Sequence, residues 1–454
     1  MSDDATLDEF VEIQDSKRND SDESAIKSEE IHPRFGKLPP EWSINEIADI
    51  AEVVGGSTPS TDNDDYWGGG IPWATPTDIT ALSGNTISET ADTITEEGLE
   101  SASTHLLPPY SVLMTSRASI GKCAVNTVEM ATNQGFKNLV PEKEIETWYL
   151  YYRMLETANF LNSVGSGSTF DEVSKTEVQS VDIPIPPLPE QRKIATVLYT
   201  VDRAIEKTEE VSSQLKRIKQ GLCQRLFFEG VENHVNFKES KYGKVPDNWN
   251  ISKLSEVTTQ IQAGSTPDTN VDEYYGGNIP WVKTGELSQK RVSSTEQTIT
   301  QKGYQNSATH MFAPGTVLIA MYGATTGEVS LLEMEATTNQ ACCGVVTTDD
   351  LVPEYLYQQL NYLSNHMKSL SAGSGQQNIS KGILEKFDVL VPPIEEQNSI
   401  VEVLAGVDES ISENRATKEQ LQRLKRGLQQ DLLSGTVRTT DTNIEVPDEI
   451  AQHG

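Results

Sequence analysis

The chain has 454 residues, room for about three domains, and carries 68 acidic against 36 basic side chains, a formal net charge of −32. Such a charge argues against an ordinary basic phosphate-binding footprint. Because the acid is spread along the chain and not confined to one tail, it reads as adaptation to a cytoplasm of very high salt, as in a halophilic prokaryote, where a dense hydrated acidic surface keeps proteins soluble.

Residues 1–31 are acidic and poor in large apolar side chains, which predicts a disordered tail; they lack the apolar h-region of a signal peptide. No run approaches the ~18 apolar residues of a membrane span. The four cysteines, Cys123, Cys223, Cys342 and Cys343, show no CxxC spacing, so neither a zinc knuckle nor a disulfide framework is expected. A soluble, cytoplasmic chain without a membrane partner follows.

The rest of the sequence says nearly the same thing twice. Gly36-Lys-Leu-Pro-Pro-Glu-Trp42 returns as Gly243-Lys-Val-Pro-Asp-Asn-Trp249, and Gly56-Ser-Thr-Pro59 as Gly264-Ser-Thr-Pro267. Tyr66-Trp-Gly-Gly-Gly-Ile-Pro-Trp73 returns as Tyr274-Tyr-Gly-Gly-Asn-Ile-Pro-Trp281. Thr104-His105, Thr132-Asn-Gln134, Gly165-Ser-Gly167 and Pro186-Pro-Leu-Pro-Glu-Gln191 recur in the same order as Thr309-His310, Thr338-Asn-Gln340, Gly373-Ser-Gly375 and Pro392-Pro-Ile-Glu-Glu-Gln397. The repeat is far longer than a solenoid module, so whole folding units are duplicated.

Each copy opens with short apolar runs bounded by turn residues, such as Ser111-Val-Leu-Met-Thr115 and Thr316-Val-Leu-Ile-Ala320, which predict strands, with helical patches at Trp148–Tyr152 and Glu354–Gln358. After each proline-rich hinge the pattern changes. Apolar residues fall at Ile194, Leu198, Val201, Ile205, Leu215, Leu222 and Leu226, and again at Ile400, Leu404, Val407, Ile411, Leu421, Leu428 and Leu432, a coiled-coil seam. Thr208 and Ser212, and Asn414 and Lys418, put polar groups into the seam, where they fix register. A helix over Glu190–Phe228 would be ~58 Å long. Two such helices can bury their seams only against each other or against another protein; paired antiparallel, they would form a rod with one globular unit at each end.

The predicted architecture is therefore α/β: a tail over 1–31, mixed α/β domains over 32–187 and 232–393, long helices over 188–231 and 394–436, and a polar tail over 437–454 that reads as disordered like the first.

Catalytic and cofactor motifs are near-misses. Ser116-Arg-Ala-Ser-Ile-Gly121-Lys122-Cys123 resembles a phosphate loop, yet Ser116 replaces the first Gly and Cys123 the Mg²⁺-binding hydroxyl. Leu107-Pro-Pro-Tyr110 lacks the polar side chain that would hold a target amine. The Gly-Ser-Gly turns lack the rest of a dinucleotide fingerprint. His105 and His310 have no second ligand nearby and read as hydrogen-bonded structural histidines, and the Thr-Asn-Gln triplets as turn-forming amides. No metal, cofactor or catalytic site is expected. The cations Lys216, Arg217, Lys219 and Arg225, with Arg423, Lys425 and Arg426, sit near helix C-termini, which suits the helix dipole as well as it suits DNA.

Taken in this order and duplicated, the motifs from Phe35 to Gly435 resemble the specificity subunit of type I restriction-modification systems. The resemblance implies two target-recognition domains joined by two long helices forming an antiparallel coiled-coil spacer. It implies a non-catalytic subunit reading a bipartite double-stranded DNA target, one half-site per domain. Partners would be two methyltransferase (modification) subunits along the spacer and restriction (helicase-nuclease) subunits joining them. The competing expectation is a coiled-coil scaffold that binds no DNA.

Base-reading residues do not transfer by motif and are sought where the copies diverge beside shared turns. Ser168-Thr169-Phe170 in the first copy faces Gln376-Gln377-Asn378 in the second, and Arg117 shares a loop position with Tyr322. Arg can bond guanine bidentately and Gln or Asn adenine; ordinary loop divergence is the alternative. Lys122 and Lys283 complete the set of candidate DNA contacts.

Overall fold

The computed structural model describes residues 32–451 apart from 103, 118, 166–171 and 371–377, and the side chains of 164 and 165 also fall outside it. The chain forms two compact units. Unit 1 comprises Met1–Glu206 and Gln420–Gly454; unit 2 comprises Lys207–Glu419.

Unit 1 is built on a five-stranded sheet in the order Ala51–Gly55, Lys137–Pro141, Val112–Met114, Cys123–Asn126, Thr86–Ile87. Val112, Leu113, Met114, Ala124 and Val125 are wholly buried, because both faces are covered and the strands carry continuous apolar runs. One face packs on the helix Thr147–Gly165, whose Trp148, Tyr149, Leu150, Tyr152 and Met154 join the core. A smaller sheet orders Asp92–Ile94, Trp67–Ala74 and Ala131–Thr132, the last pair parallel.

Unit 2 repeats this. Its five strands run Thr258–Ala263, Cys342–Thr347, Val317–Ala320, Val329–Leu332, Arg291–Val292, and its three-stranded sheet runs Thr298–Ile299, Tyr275–Val282, Thr337–Thr338. The helix Pro353–Tyr362 takes the place of Thr147–Gly165.

The hinge motif is a fastener. Gln191 accepts from Glu146 N at 2.9 Å and donates Nε2 to the carbonyls of Glu144 and Pro186, so it holds the start of one helix against the end of a strand. Gln397 does the same with Val352 N, Asp350 O and Pro392 O. The preceding glutamates accept indole N–H groups: Trp42 Nε1 reaches Glu190 at 3.1 Å and Trp249 Nε1 reaches Glu396 at 2.8 Å.

Two long helices follow the hinges, Leu188–Phe228 and Ile394–Leu433. In unit 2 Asn414 Nδ2 donates to Thr208 O at 2.9 Å, Lys418 pairs with Glu209 at 2.7 Å, and Lys219 pairs with Asp408 at 2.8 Å. Position rises along one helix as it falls along the other, so the pairing is antiparallel. Of the polar seam residues, Asn414 and Lys418 make cross-helix bonds with their side chains, Asn414 to the main-chain carbonyl of Thr208, as register-fixing groups should. In unit 1 Ile194 and Leu198 of one helix and Leu432 and Leu433 of the other enter the same core.

Residues 437–451 differ from the expected disordered tail. Arg438 reaches Glu190 and Glu41, Lys193 Nζ donates to the carbonyls of Thr439, Thr440 and Thr442, and Tyr199 donates to Glu449. Ile450, on the short helix Asp448–Ala451, is fully buried. One apolar anchor and a set of polar contacts to the first long helix order the segment despite its low hydrophobicity. The predicted tail over 1–31 lies outside the described residues.

Candidate nucleic-acid interface

The shared motifs converge on one frame in each unit. In unit 1 Ser57 N donates to Thr132 O at 3.0 Å, and a Cβ on Gly56 would stand 2.2 Å from Asn133 O, so only glycine permits this approach. Trp73 Nε1 then donates to Ser57 O at 3.0 Å, and Thr58 meets the Gln134 side chain. In unit 2 Ser265 N meets Thr338 O, a Cβ on Gly264 would lie 2.0 Å from that oxygen, Trp281 Nε1 donates to Ser265 O, and Thr266 meets Gln340. The Thr-Asn-Gln triplets are thus the hub of the frame, in keeping with their structural reading. The Thr-His recurrence is carried by its threonine: Thr104 and Thr309 donate to the carbonyls of Thr132 and Thr338, while His105 is exposed and His310 half-buried.

A turn at which the copies diverge lies beside this hub in each unit. In unit 1 the turn 116–122 is closed by Thr115: its N–H donates to Lys122 O, its hydroxyl to Ser119 O, and Lys122 N donates back to the hydroxyl. These groups are spent within the turn and do not point outward to a phosphate. Ser116 N donates to Gly135 O beside the hub, and Val173 N donates to Ser116 O, bringing residues 172 and 173 alongside. In unit 2 Met321 N donates to Ala341 O and Ile379 N to Met321 O, the same junction.

The candidate residues fall as follows. Arg117 is 45 % exposed and its Nε pairs with Glu172 at 2.8 Å; Lys137 holds the other carboxylate oxygen at 3.2 Å. Burial alone would raise the Glu172 pKa, but hydrogen bonds from Arg117 and Lys137 hold it below the usual carboxylate range. Lys122 is exposed on the same turn. Tyr322 occupies the matching turn of unit 2, its hydroxyl donating to Gln340 O at 2.5 Å, and the exposed Asn378 precedes Ile379 at the junction. Lys283 lies over the Trp281 ring at 5.5 Å, a cation–π contact, and connects to the hub through Asn339 N, which donates to Val282 O. Ser168, Thr169, Gln376 and Gln377 lie outside the described residues. Structure therefore brings Arg117 and Lys122 together, and Tyr322 and Asn378 together, each group in its own unit.

Two of the cations at helix ends are used differently. Lys219 and Lys425 turn inward to Asp408 and Asp202. Both pairs hold equivalent places in the two copies, a recurrence that marks the positions without naming their partners.

Among the described residues Glu232, His234 and Glu396 bring three ligand atoms within 4.8 Å. Glu396 Oε1 is hydrogen-bonded by His234 Nε2 at 2.7 Å and accepts from Val231 N at 3.2 Å, with Oε2 on Trp249. In unit 1 Arg438 and Trp42 perform the same duty for Glu190. The group is thus a clamp on a buried hinge carboxylate. No helix among the described residues is long and apolar enough to cross a membrane.

A type I restriction modification DNA specificity domain matches residues 39–217 and again 246–423, so the chain belongs to that family. The MjaIX specificity subunit of Methanocaldococcus jannaschii is 27% identical over 420 residues, 90% of this chain and 96% of that one. The EcoR124I/EcoR124II specificity subunit of Escherichia coli is 25% identical over 58% of this chain and 64% of its own length. Among solved structures, a chain from a type I R-M system described for its complex assembly and conformational transition superposes with a TM-score of 0.57 at 19% identity, covering 88% of this chain and 100% of that one. The type I S subunit from M. genitalium gives 0.54 at 11% identity, over 89% and 97%. The chain is a specificity subunit that recognises a DNA target and has no catalytic role of its own; the scaffold alternative falls.

Proposed function

We propose that each unit reads one half of a bipartite double-stranded DNA site through the loop junction beside its Thr-Asn-Gln hub. Arg117, Lys122, Ser168 and Thr169 would serve one half-site, and Lys283, Tyr322, Gln376, Gln377 and Asn378 the other. One observation carries this reading: the same frame is built twice, and the side chains described beside it, Arg117 and Lys122 in one copy and Tyr322 and Asn378 in the other, differ between the copies. Shared residues that build a frame and divergent ones that read bases suit two different half-sites.

Two modification subunits would dock along the long helices, with restriction subunits joining them, in the cytoplasm. The net charge of −32 supports a working medium of high salt, as in a halophile. There counterion release contributes less, and base and shape contacts must contribute more.

Genome-wide methylation mapping of cells expressing the subunit with its modification partner tests the assignment. Replacing Gln376, Gln377 and Asn378 with Ala should relax one half-site, at about 1–3 kcal/mol of discrimination for each lost base contact, and leave the other unchanged. Equal loss at both half-sites would refute it.

A further inference from the structure

Asp202 and Asp408 hold equivalent places in the two copies, and each is the centre of a polar cluster built from equivalent positions. In unit 1 the Asp202 carboxylate accepts from Asn85 Nδ2 at 2.6 Å and Tyr152 OH at 2.8 Å, and pairs with Lys425 Nζ at 2.5 Å. In unit 2 Asp408 takes Lys219 Nζ at 2.8 and 2.9 Å, Lys290 Nζ at 2.6 Å and Gln358 Nε2 at 3.2 Å. Lys290 stands where Asn85 stands, and Gln358 where Tyr152 stands, so the duplication kept the cluster while changing its donors.

The lysines cross over. Lys219 lies on the first long helix and serves the aspartate of the second; Lys425 lies on the second and serves the aspartate of the first. The remaining donors belong to the α/β domain: Asn85 precedes the strand Thr86–Ile87, and Tyr152 is on the helix Thr147–Gly165. Each carboxylate therefore joins three elements: two paired helices and the domain packed on them.

Groups of this kind specify register more than they stabilise. Slipping one helix by a turn would carry its lysine about 5.4 Å along the axis, out of reach of a carboxylate that is almost wholly enclosed, with Asp202 only 5% exposed. Apolar seam residues tolerate such a slip far better, since one leucine replaces another.

We infer that Asp202 and Asp408 are positioning residues for recognition: they fix the register of the paired helices and the seat of each domain upon them, and thereby the number of base pairs accepted between half-sites. This rests on the bipartite reading above. The test co-expresses the full chain with its modification subunits in a host lacking other methylation and maps every methylated motif. Wild type must first yield a two-part motif with one gap; a motif of a single part would sink the bipartite reading itself, before any variant is made.

Asp202→Asn, Asp408→Asn, Lys219→Met and Lys425→Met should then keep both half-site sequences. Their discrimination between the native gap and a gap one base pair longer or shorter should fall about tenfold, equivalent to ~1.4 kcal/mol. Lys219→Arg and Lys425→Arg, which retain the charge, should hold the native gap. Circular dichroism and recovery in the complex identify the folded variants. Folded Asn and Met variants that methylate only at the native gap would overturn the inference. So would a uniform loss of methylation with no change in gap, the mark of a merely structural role.

Discussion

Arg438→Met isolates the clamp on the first hinge. It keeps the aliphatic stem but removes the guanidinium donors that reach Glu190 at 2.7 and 2.9 Å, leaving the buried carboxylate with Trp42 at 3.1 Å. Breaking a buried ion pair by removing one partner costs about 3–5 kcal/mol. The Arg438 side chain is 28% exposed against 2% for Glu190, and the Trp42 indole and the Thr439 amide still donate to the carboxylate, which places the loss at the lower end, about 3 kcal/mol. Glu190→Gln removes the charge that needs the guanidinium, so the double variant should recover about 2 kcal/mol relative to the sum of the singles. Because the chain has two units, a single unfolding midpoint is not a clean readout. Hydrogen exchange resolved by peptide is better: amides of 188–200 should lose about a hundredfold in protection, since each ~1.4 kcal/mol is a factor of ten, while those of 394–404 stay unchanged. Burial by itself would raise the Glu190 pKa, but hydrogen bonds from Arg438 and Trp42 hold it below the ordinary range. Its contribution is therefore present above the unfolded carboxylate pKa and lost as pH falls through the folded one, and the variant should converge on wild type in acid. Strict additivity of the two substitutions, or equal loss of protection in both peptides, would refute the clamp.

Two further outcomes are expected. Burial pushes the Glu146 pKa up to about 8, against lesser opposing hydrogen bonds from the Trp148 and Tyr149 amides and the charge of Arg192. Folding then holds a proton that the unfolded chain releases, so stability falls as pH rises from the ordinary carboxylate range towards 8. Glu146→Gln should remove that decline and stabilise unit 1 at pH 8 but not at pH 4, by at most about 5 kcal/mol at ~1.4 kcal/mol per unit, read as slower hydrogen exchange of its core amides; faster exchange at pH 8 would contradict it. Raising KCl from 0.15 M to 1 M shortens the Debye length from about 8 Å to about 3 Å. If the charge of −32 marks salt adaptation, this should raise the melting temperature measured by calorimetry, and a fall would remove that reading.

Recurrence made the frame legible. Gly-Ser-Thr-Pro, Ile-Pro-Trp, Thr-Asn-Gln and the hinge glutamine are recognisable as scaffold from the sequence, because two copies that differ elsewhere keep them, and each has a steric or hydrogen-bonding reason. Helix pairing was legible from the seam spacing and its polar interruptions. Partners across long sequence separations were not. Nothing local marks Arg438 as the counter-charge of Glu190, or Lys425 as that of Asp202, because a lysine on an amphipathic helix looks the same whether it points to water or to a carboxylate on another strand of the chain. The order of 437–451 is hidden in the sequence for a related reason: Val446 and Ile450 are too few to signal burial, and the polar contacts that order it lie on a helix more than two hundred residues earlier. The proposed reading loops are the opposite case, since divergence suggests where to look but leaves their targets unstated.

The division of the chain has a consequence for synthesis. Unit 2 is one continuous stretch, Lys207–Glu419, whereas unit 1 needs residues on both sides of it. Leu432, Leu433 and Ile450 belong to the same core as Trp148 and Ile194, and Arg438 supplies the counter-charge to Glu190. A ribosome working from the N-terminus therefore makes most of unit 1 first yet cannot complete it until long after unit 2 has every residue it requires. The usual vectorial order, in which the N-terminal domain folds first, is inverted. During that interval the earlier domain waits with part of its apolar surface uncovered, exposed to chaperones or to the C-terminal segment of another nascent copy, so the timing of translation enters the fidelity of a protein whose task is fidelity.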